Sequence, residues 1–402
     1  PRPGAGPRTL VADLVIVAGE ASGDQLAADL VQRLRRVRPD LRFHGVTGPK
    51  MRASGVVSWG GIDTLAVRGL VEVLPALPRI LRLKREILAR TAALKPVAYI
   101  GVDAPDFNLR IERELKAGGL ITMHYVAPTF WAWRPERAAR FHEAVDHMLC
   151  IFPFEPELLA PHQVAATFVG HPLTRARLGQ ADRKRLKRTL LPEGADLATP
   201  IVAVLPGSRD GEVNQHARLM VEAMRNIARA LPEVHFAIPL ATRSTRLRFE
   251  TELWARAETL VGQTRLLYGH ADYALRAADA AIVASGTATL EAAMLGCPQV
   301  VTYRLNPLTA WLIQRKLMTR WVAQPNIVAQ ADVVPERLQR AATPERLAAD
   351  VLDLLGDETR RAAMRAAYVR IRELLTVAGE AGEDVLVASV LRVLDRRGAS
   401  PG

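Results

Sequence analysis

Short apolar runs that stop at a turn of small, hydroxyl or acidic residues, then resume at helical spacing, recur along this chain and restrict its fold more than any other feature. Leu14 to Val17 leads into Ala18-Gly19-Glu20-Ala21-Ser22-Gly23-Asp24 and then the helical pattern Leu26, Leu30, Leu34. Val97 to Val102 leads into Asp103-Ala104-Pro105-Asp106-Phe107, Ile201 to Leu205 into Pro206-Gly207-Ser208-Arg209, and Ala280 to Ala284 into Ser285-Gly286-Thr287-Ala288-Thr289-Leu290-Glu291. Alternation of strand, turn and helix builds a parallel sheet covered by helices. Ligands of such open sheets sit beyond the carboxyl ends of the strands, where helix N-termini present unpaired backbone N–H groups. The turns are where chemistry is expected.

Further strands are expected at Phe43 to Val46, Ile121 to Val126, His147 to Phe152 and His235 to Pro239, with helices over Leu26 to Val37, Glu136 to Val145 and Val213 to Ala230. At 402 residues the chain exceeds one ordinary core, so two domains are expected. Residues 1–8 read as a flexible proline-rich tail and 9–173 as a first Rossmann-like domain. The basic run Arg175 to Arg188 and the turn-rich Leu191-Pro192-Glu193-Gly194 open a second Rossmann-like domain over 174–369. Pro344 to Arg397, dense in Ala, Leu and Arg, reads as two or three helices, with 370–402 able to pack back on the first domain.

Hydrophobic residues at 49% and charged residues at 24% describe a folded globular chain. No apolar run reaches the roughly 18 residues a membrane span needs, and the first residues lack the charged start and apolar core of a secretion signal, so the chain is expected in the cytosol. Cys150 and Cys297, each inside an apolar segment, read as buried thiols; neither a disulfide nor a metal site is expected. A net charge of +12 calls for a polyanionic partner. Arg79, Arg82, Lys84 and Arg85 are interleaved with Leu77, Ile80, Leu81, Leu83, Ile87 and Leu88 after Pro75 and Pro78, which are expected to mark the helix start. That pattern suits a helix on an anionic membrane surface, or one that buries its apolar stripe and solvates its arginines. No nucleic-acid partner is expected, because the basic stripe lacks interleaved aromatics.

In Gly207-Ser208-Arg209, backbone donors, the Ser208 hydroxyl and the forked charge of Arg209 suit a diphosphate. Ser285, Gly286, Thr287 and Thr289 begin a helix whose Glu291 can accept both hydroxyls of a ribose; a plain Ser cap is the competing reading. Asp103, at a strand's carboxyl end, is the best general-base candidate, although it or Asp106 could cap the helix that follows. Glu20 and Asp24 are not needed by a turn and would repel a phosphate, which points to a polar ligand or a base. Phe130, Trp131, Trp133 and Arg134 suit an apolar substrate bearing a phosphate, or core packing. Asn326, Glu336 and Gln339 are placed in the same site without a spacing argument, and His171 reads as a hinge or orienting residue.

Taken together, Val17 to Asp24, Gly101 to Phe107, Trp131-Ala132-Trp133-Arg134, Leu205 to Arg209 and Ala284 to Glu291 closely resemble the lipid-A-disaccharide synthase family, over nearly the whole chain. Gly69 to Leu74, Phe152-Pro153-Phe154-Glu155 and Gln324-Pro325-Asn326 agree in order. The resemblance implies a GT-B glycosyltransferase with two Rossmann-like domains facing across a cleft, working without metal or cofactor. It would join UDP-2,3-diacylglucosamine to 2,3-diacylglucosamine 1-phosphate (lipid X) with inversion, giving a β-1,6-linked disaccharide 1-phosphate and UDP in lipid A biosynthesis. Asp103 would then be the base; Glu20, Ser22, Asp24, Trp133 and Arg134 would hold the acceptor. Ser208, Arg209, Ser285, Gly286, Thr287, Thr289, Glu291, Asn326, Glu336 and Gln339 would hold UDP. The enzyme would sit at the cytoplasmic face of the inner membrane, with room for a homodimer. Arg68 and Trp59-Gly60-Gly61 depart from the usual pattern near the acceptor side. The alternatives are another UDP-sugar GT-B enzyme, of the lipid-linked muropeptide glycosyltransferase or UDP-N-acetylglucosamine 2-epimerase type, and a basic nucleic-acid-binding protein. The Gly19 to Asp24 run argues against the first pair, and five ligand-edge turns against the last.

Overall fold

A computed structural model describes residues 12–65, 70–133, 135–175, 183–305, 319–377, 379 and 383–398. The chain divides into two compact units, one of residues 1–172 with 375–402, the other of Leu173–Leu374. The expected second crossing at 369/370 falls inside the continuous helix Glu358–Leu375, and the chain changes unit only where that helix ends.

The first unit holds seven parallel strands, β1 (Ala12–Ala18), β2 (Leu41–Thr47), β3 (Val57–Gly61), β4 (Ala98–Val102), β5 (Ile121–Tyr125), β6 (His147–Cys150) and β7 (Ala166–Phe168), in the order 3-2-1-4-5-6-7. The second holds six, β8 (Ile201–Leu205), β9 (His235–Leu240), β10 (Thr264–Tyr268), β11 (Ala280–Ala284), β12 (Gln299–Tyr303) and β13 (Glu336–Leu338), ordered 10-9-8-11-12-13. Each sheet therefore starts in its middle, winds one way, then crosses back. In the first the strand order reverses between β1 and β4, in the second between β8 and β11, and a ligand crevice forms where neighbouring connections leave in opposite directions.

Those four central strands are the apolar runs of the sequence. Leu14 to Ala18 are fully buried, as are Val202 to Val204 and Ala280 to Val283, so helices cover both faces. Val17 pairs with Gly101 and Ala18 with Val102, which brings the turn after β1 beside the turn after β4. Ile282 pairs with Val204 and Val283 with Leu205, which does the same for β8 and β11.

Two helical expectations need correction. The helix expected over 136–145 is a 3₁₀ segment, Pro135–Arg140, followed by one α-turn, Phe141–Ala144. The basic helix starts at Leu70 and runs to Leu94, so Pro75 and Pro78 lie inside it and remove two backbone donors from its first half. Its stripe is also divided: Leu83 and Ile87 are buried, while Leu77 and Leu81 stay exposed beside Arg79, Arg82 and Arg85. Among the described residues no helix is long and apolar enough to cross a membrane.

Candidate active site

In the first unit, Asp103 follows β4 directly and takes φ +56°, and Ala104 takes φ +46°. Two successive non-glycine residues in the left-handed region are uncommon, and each costs on the order of 1–3 kcal/mol. Helix Pro105–Ala117 starts immediately after, with proline in its first turn. Asp103 Oδ1 accepts from the Ala104 N–H at 2.8 Å, and Oδ2 accepts from the Ser22 hydroxyl at 3.2 Å. Ser22 and Asp103 are thus brought together across the β1–β4 switch point. Asp106 does not cap the helix: it is exposed and pairs with Arg137 at 2.7 Å.

Asp24 has a different task from the one expected. It is 2% exposed, and its carboxylate accepts the backbone N–H groups of Gly48 (2.8 Å), Lys50 (2.9 Å) and Met51 (3.0 Å). It therefore caps helix Pro49–Ala53 from the neighbouring helix, and both oxygens are spent inside the fold. Glu20 immediately precedes helix Ala21–Val37, whose Asp24 N–H donates to the Glu20 carbonyl. Arg134 and the side chain of Trp133 lie outside the described residues.

Sequence reasoning passed over Glu112 and His124, which are buried in the first unit. Gly101 is required by closeness: a Cβ there would lie 2.1 Å from Glu112 Oε1 and 2.8 Å from Asn108 Cβ. Glu112 and His124, both fully buried, meet at 2.9 Å, and burial pushes the Glu112 carboxyl up against the pull of the imidazole. Glu155 is likewise fully buried, accepts from Trp131 Nε1 and the Ile151 and Phe152 amides, and is pushed up to about 8 by burial. His171 packs against Phe152 with ring centroids 5.4 Å apart, and burial lowers it to about 4.

In the second unit a cavity of about 510 Å³ opens at the β8–β11 switch point, and Ser208, Arg209, Ser285, Gly286, Thr287 and Glu291 line it. Helix Asp210–Ala230 starts after Arg209 and helix Thr287–Met294 after Gly286, so two helix N-termini border the same space. Burial, then the charge of Asp272, raises the Glu291 carboxyl. Glu212, not anticipated, also lines the cavity. Its Oε2 accepts the Ser208 N–H at 2.9 Å and the Arg209 N–H at 3.3 Å, and its Oε1 meets the Arg209 guanidinium at 3.0 Å. An internal carboxylate thus engages the donors expected to hold a phosphate. Gly207, at φ +121°, is the position that permits this, since a Cβ there would lie 2.4 Å from Glu212 Cβ. The only sequence signal for Glu212 is its place at the third helical position, where a glutamate closes a capping box.

Four more residues expected to hold UDP, Thr289, Asn326, Glu336 and Gln339, are not among those lining the cavity. Thr289 is fully buried and bonds back to the Gly286 carbonyl at 2.8 Å. Asn326, 1% exposed, accepts the Val333 and Val334 N–H groups and donates to Val334 O and Glu336 Oε1. Glu336 accepts from the Val322 and Ala323 amides. Together this pair ties segment 322–336 into one turn structure. Gln339 receives the Leu305 N–H at 3.3 Å and does not line the cavity. Ser285 does line it, with its hydroxyl donating to Val322 O at 2.9 Å.

A family model described as "Lipid-A-disaccharide synthetase" matches residues 14–389. This chain belongs to the lipid-A-disaccharide synthetase family. A relative named lipid-A-disaccharide synthase, from Methylobacillus flagellatus, is 43% identical over 361 residues, covering 90% of this chain and 94% of its own. Among solved structures, UDP-GlcNAc 2-epimerase from Neisseria meningitidis, bound to UDP-GlcNAc, superposes with a TM-score of 0.63 at 11% identity over 96% of this chain and 100% of that one. A glycosyltransferase from Rickettsia africae superposes with a TM-score of 0.58 at 10% identity over 97% and 99%. These two share the GT-B fold, two parallel α/β units each, with the lipid-A-disaccharide synthetase family member described here.

Proposed function

We propose that this chain transfers the diacylglucosaminyl group of UDP-2,3-diacylglucosamine to the 6-hydroxyl of 2,3-diacylglucosamine 1-phosphate, giving the β-1,6-linked disaccharide 1-phosphate and UDP. The observation that carries the reading is a division of chemistry between two sheets wound in the same way. One switch point carries a carboxylate suited to proton abstraction, and the other carries hydroxyls, an arginine and two helix N-termini suited to an anion.

Asp103 removes the acceptor hydroxyl's proton as that oxygen attacks the anomeric carbon of the donor. The bond from that carbon to the diphosphate oxygen breaks, UDP leaves with the electron pair, and a single displacement inverts the centre. Arg209, Ser208 and the start of helix Thr287–Met294 meet the charge that grows on the leaving diphosphate. Glu212 yields its N–H donors and guanidinium when the diphosphate arrives, and Glu291 accepts from the ribose. Glu20 and Ser22, with Trp133 and Arg134, position the acceptor sugar. The exposed pair Leu77 and Leu81, flanked by Arg79, Arg82 and Arg85, gives helix Leu70–Leu94 an apolar and cationic surface for an anionic bilayer, where both acylated substrates reside.

The test is disaccharide formation from the two lipids in detergent, read by mass, for the wild type and Asp103→Asn alongside UDP binding by calorimetry. Loss of product with UDP affinity kept supports Asp103 as base. Near-normal turnover in Asp103→Asn overturns that assignment, and no disaccharide from the wild type overturns the reaction.

A further inference from the structure

We propose that Asn108 is a positioning residue for the transfer: its buried amide holds the Asp103 carbonyl and thereby keeps Asp103 and Ala104 in their left-handed conformation. This rests on the reading of Asp103 as the acceptor base. A strained pair persists only where its surroundings over-determine it. The Asp103 N–H is fixed by Tyr125 O of β5 at 2.9 Å, but its carbonyl leaves the sheet, because the chain turns there into a helix.

Asn108 supplies the missing partner. Fully buried one turn into that helix, it donates from Nδ2 to Asp103 O at 2.8 Å and to Val17 O at 3.3 Å. Its Oδ1 accepts the Tyr99 hydroxyl at 3.0 Å. Tyr99 is fully buried and its phenol is pushed well above its ordinary value by burial, so it stays a donor. Both amide hydrogens are thereby used, and a flipped amide would set its oxygen against two carbonyl oxygens. Because Val17 belongs to β1 and Asp103 follows β4, one side chain ties together the two strand ends that frame the switch point. The carboxylate itself is steadied from the other side by Ala104 N and Ser22 Oγ.

A double-mutant cycle tests this, with kcat, KM for both substrates and Tm measured for wild type, Asn108→Ala, Asp103→Asn and the double variant. Asn108→Ala is expected to lower kcat about 30-fold with KM for the UDP-sugar within about twofold, the scale a small misplacement of a reacting group produces. In the Asp103→Asn background the same change should cost less than about threefold. An equal penalty in both backgrounds overturns the role of Asn108 alone. Near-normal turnover in Asp103→Asn overturns the base reading, and this proposal with it. Asn108→Asp gives an independent measure: a neutral carboxyl can donate to Asp103 O, whereas a carboxylate faces two carbonyl oxygens. Its kcat should fall as pH rises across the range where the wild type is level, with near-UV circular dichroism unchanged; a level profile overturns the proposal.

Discussion

Asp24→Ala separates a structural carboxylate from a ligand-binding one. The substitution removes the acceptor of three backbone N–H groups, those of Gly48, Lys50 and Met51 at 2.8–3.0 Å, from a side chain only 2% exposed. Losing a helix cap costs about 1–2 kcal/mol. Of the three N–H groups, those of Gly48 and Met51 are buried and that of Lys50 is part-buried, so beyond the lost cap a second buried N–H is left without a partner, which adds about 1–2 kcal/mol. A total of about 3 kcal/mol corresponds to a fall of roughly 6–12 °C in the Tm of the first unit's transition. Asp24→Asn keeps one acceptor and should lose about half as much. Calorimetry of the three proteins reads the shift, and initial rates well below the transition read KM for the acceptor. A Tm within about 1 °C of wild type, together with a raised acceptor KM, would refute the reasoning and return Asp24 to the substrate.

Four other outcomes follow from the structure. Arg209→Ala should weaken UDP binding about 10- to 100-fold by calorimetry, the loss of a charge-assisted contact of roughly 1.4–2.8 kcal/mol, and unchanged affinity would remove Arg209 from the donor site. Gly101→Ala must displace Glu112 and Asn108, so a drop of about 2–3 kcal/mol in stability should accompany lost turnover; wild-type values for both would contradict the close approach. Glu155, at about 8 when folded against an ordinary 4.5, keeps a proton that the unfolded chain releases, so its contribution to stability is full below pH 4.5 and is lost as pH rises through 8. His171, at about 4 against 6.5, works in the other direction, with stability present above pH 6.5 and lost as pH falls through 4. Urea titrations across pH 4–9 should show each slope flattened in Glu155→Gln and His171→Gln respectively, and wild-type slopes in both would contradict these environments.

The central strands were legible because burial on both faces leaves an uninterrupted apolar run, as in Leu14 to Ala18 and Ala280 to Val283. Strands β3, β10, β12 and β13 were not. Val57 is exposed, the residues of β13 are all half-buried, and Arg265 and Tyr268 of β10 face water, so their pairing is set by neighbours that the local sequence does not name; β12 is buried, but the polar Gln299 and Thr302 break its apolar run. The site divided in the same way. Position at or just after a strand end singled out Ser208, Arg209 and Glu291, which line a cavity, and Ser22, which bonds Asp103. Residue type misled at Asp24, Asn326 and Glu336, because the groups that bind a polar ligand are also those that satisfy orphan backbone amides. Asn108 and Glu212 gave no signal beyond helix position, since their partners are fixed by tertiary contact.

The return of residues 375–402 to the first unit sets an order of events during synthesis. Helix Val385–Gly398 packs on helix Ala21–Val37 and on β6, Asp384 meets Arg33 at 2.8 Å, and the His171 N–H donates to Leu375 O at 2.9 Å. While the ribosome is still making the second unit, the first has left the exit tunnel without its last helix and must wait for it. The second unit is continuous in sequence and can close as soon as it emerges. A nascent chain halted after residue 374 therefore holds a complete second unit and an unfinished first one, so the unit begun first is the unit completed last.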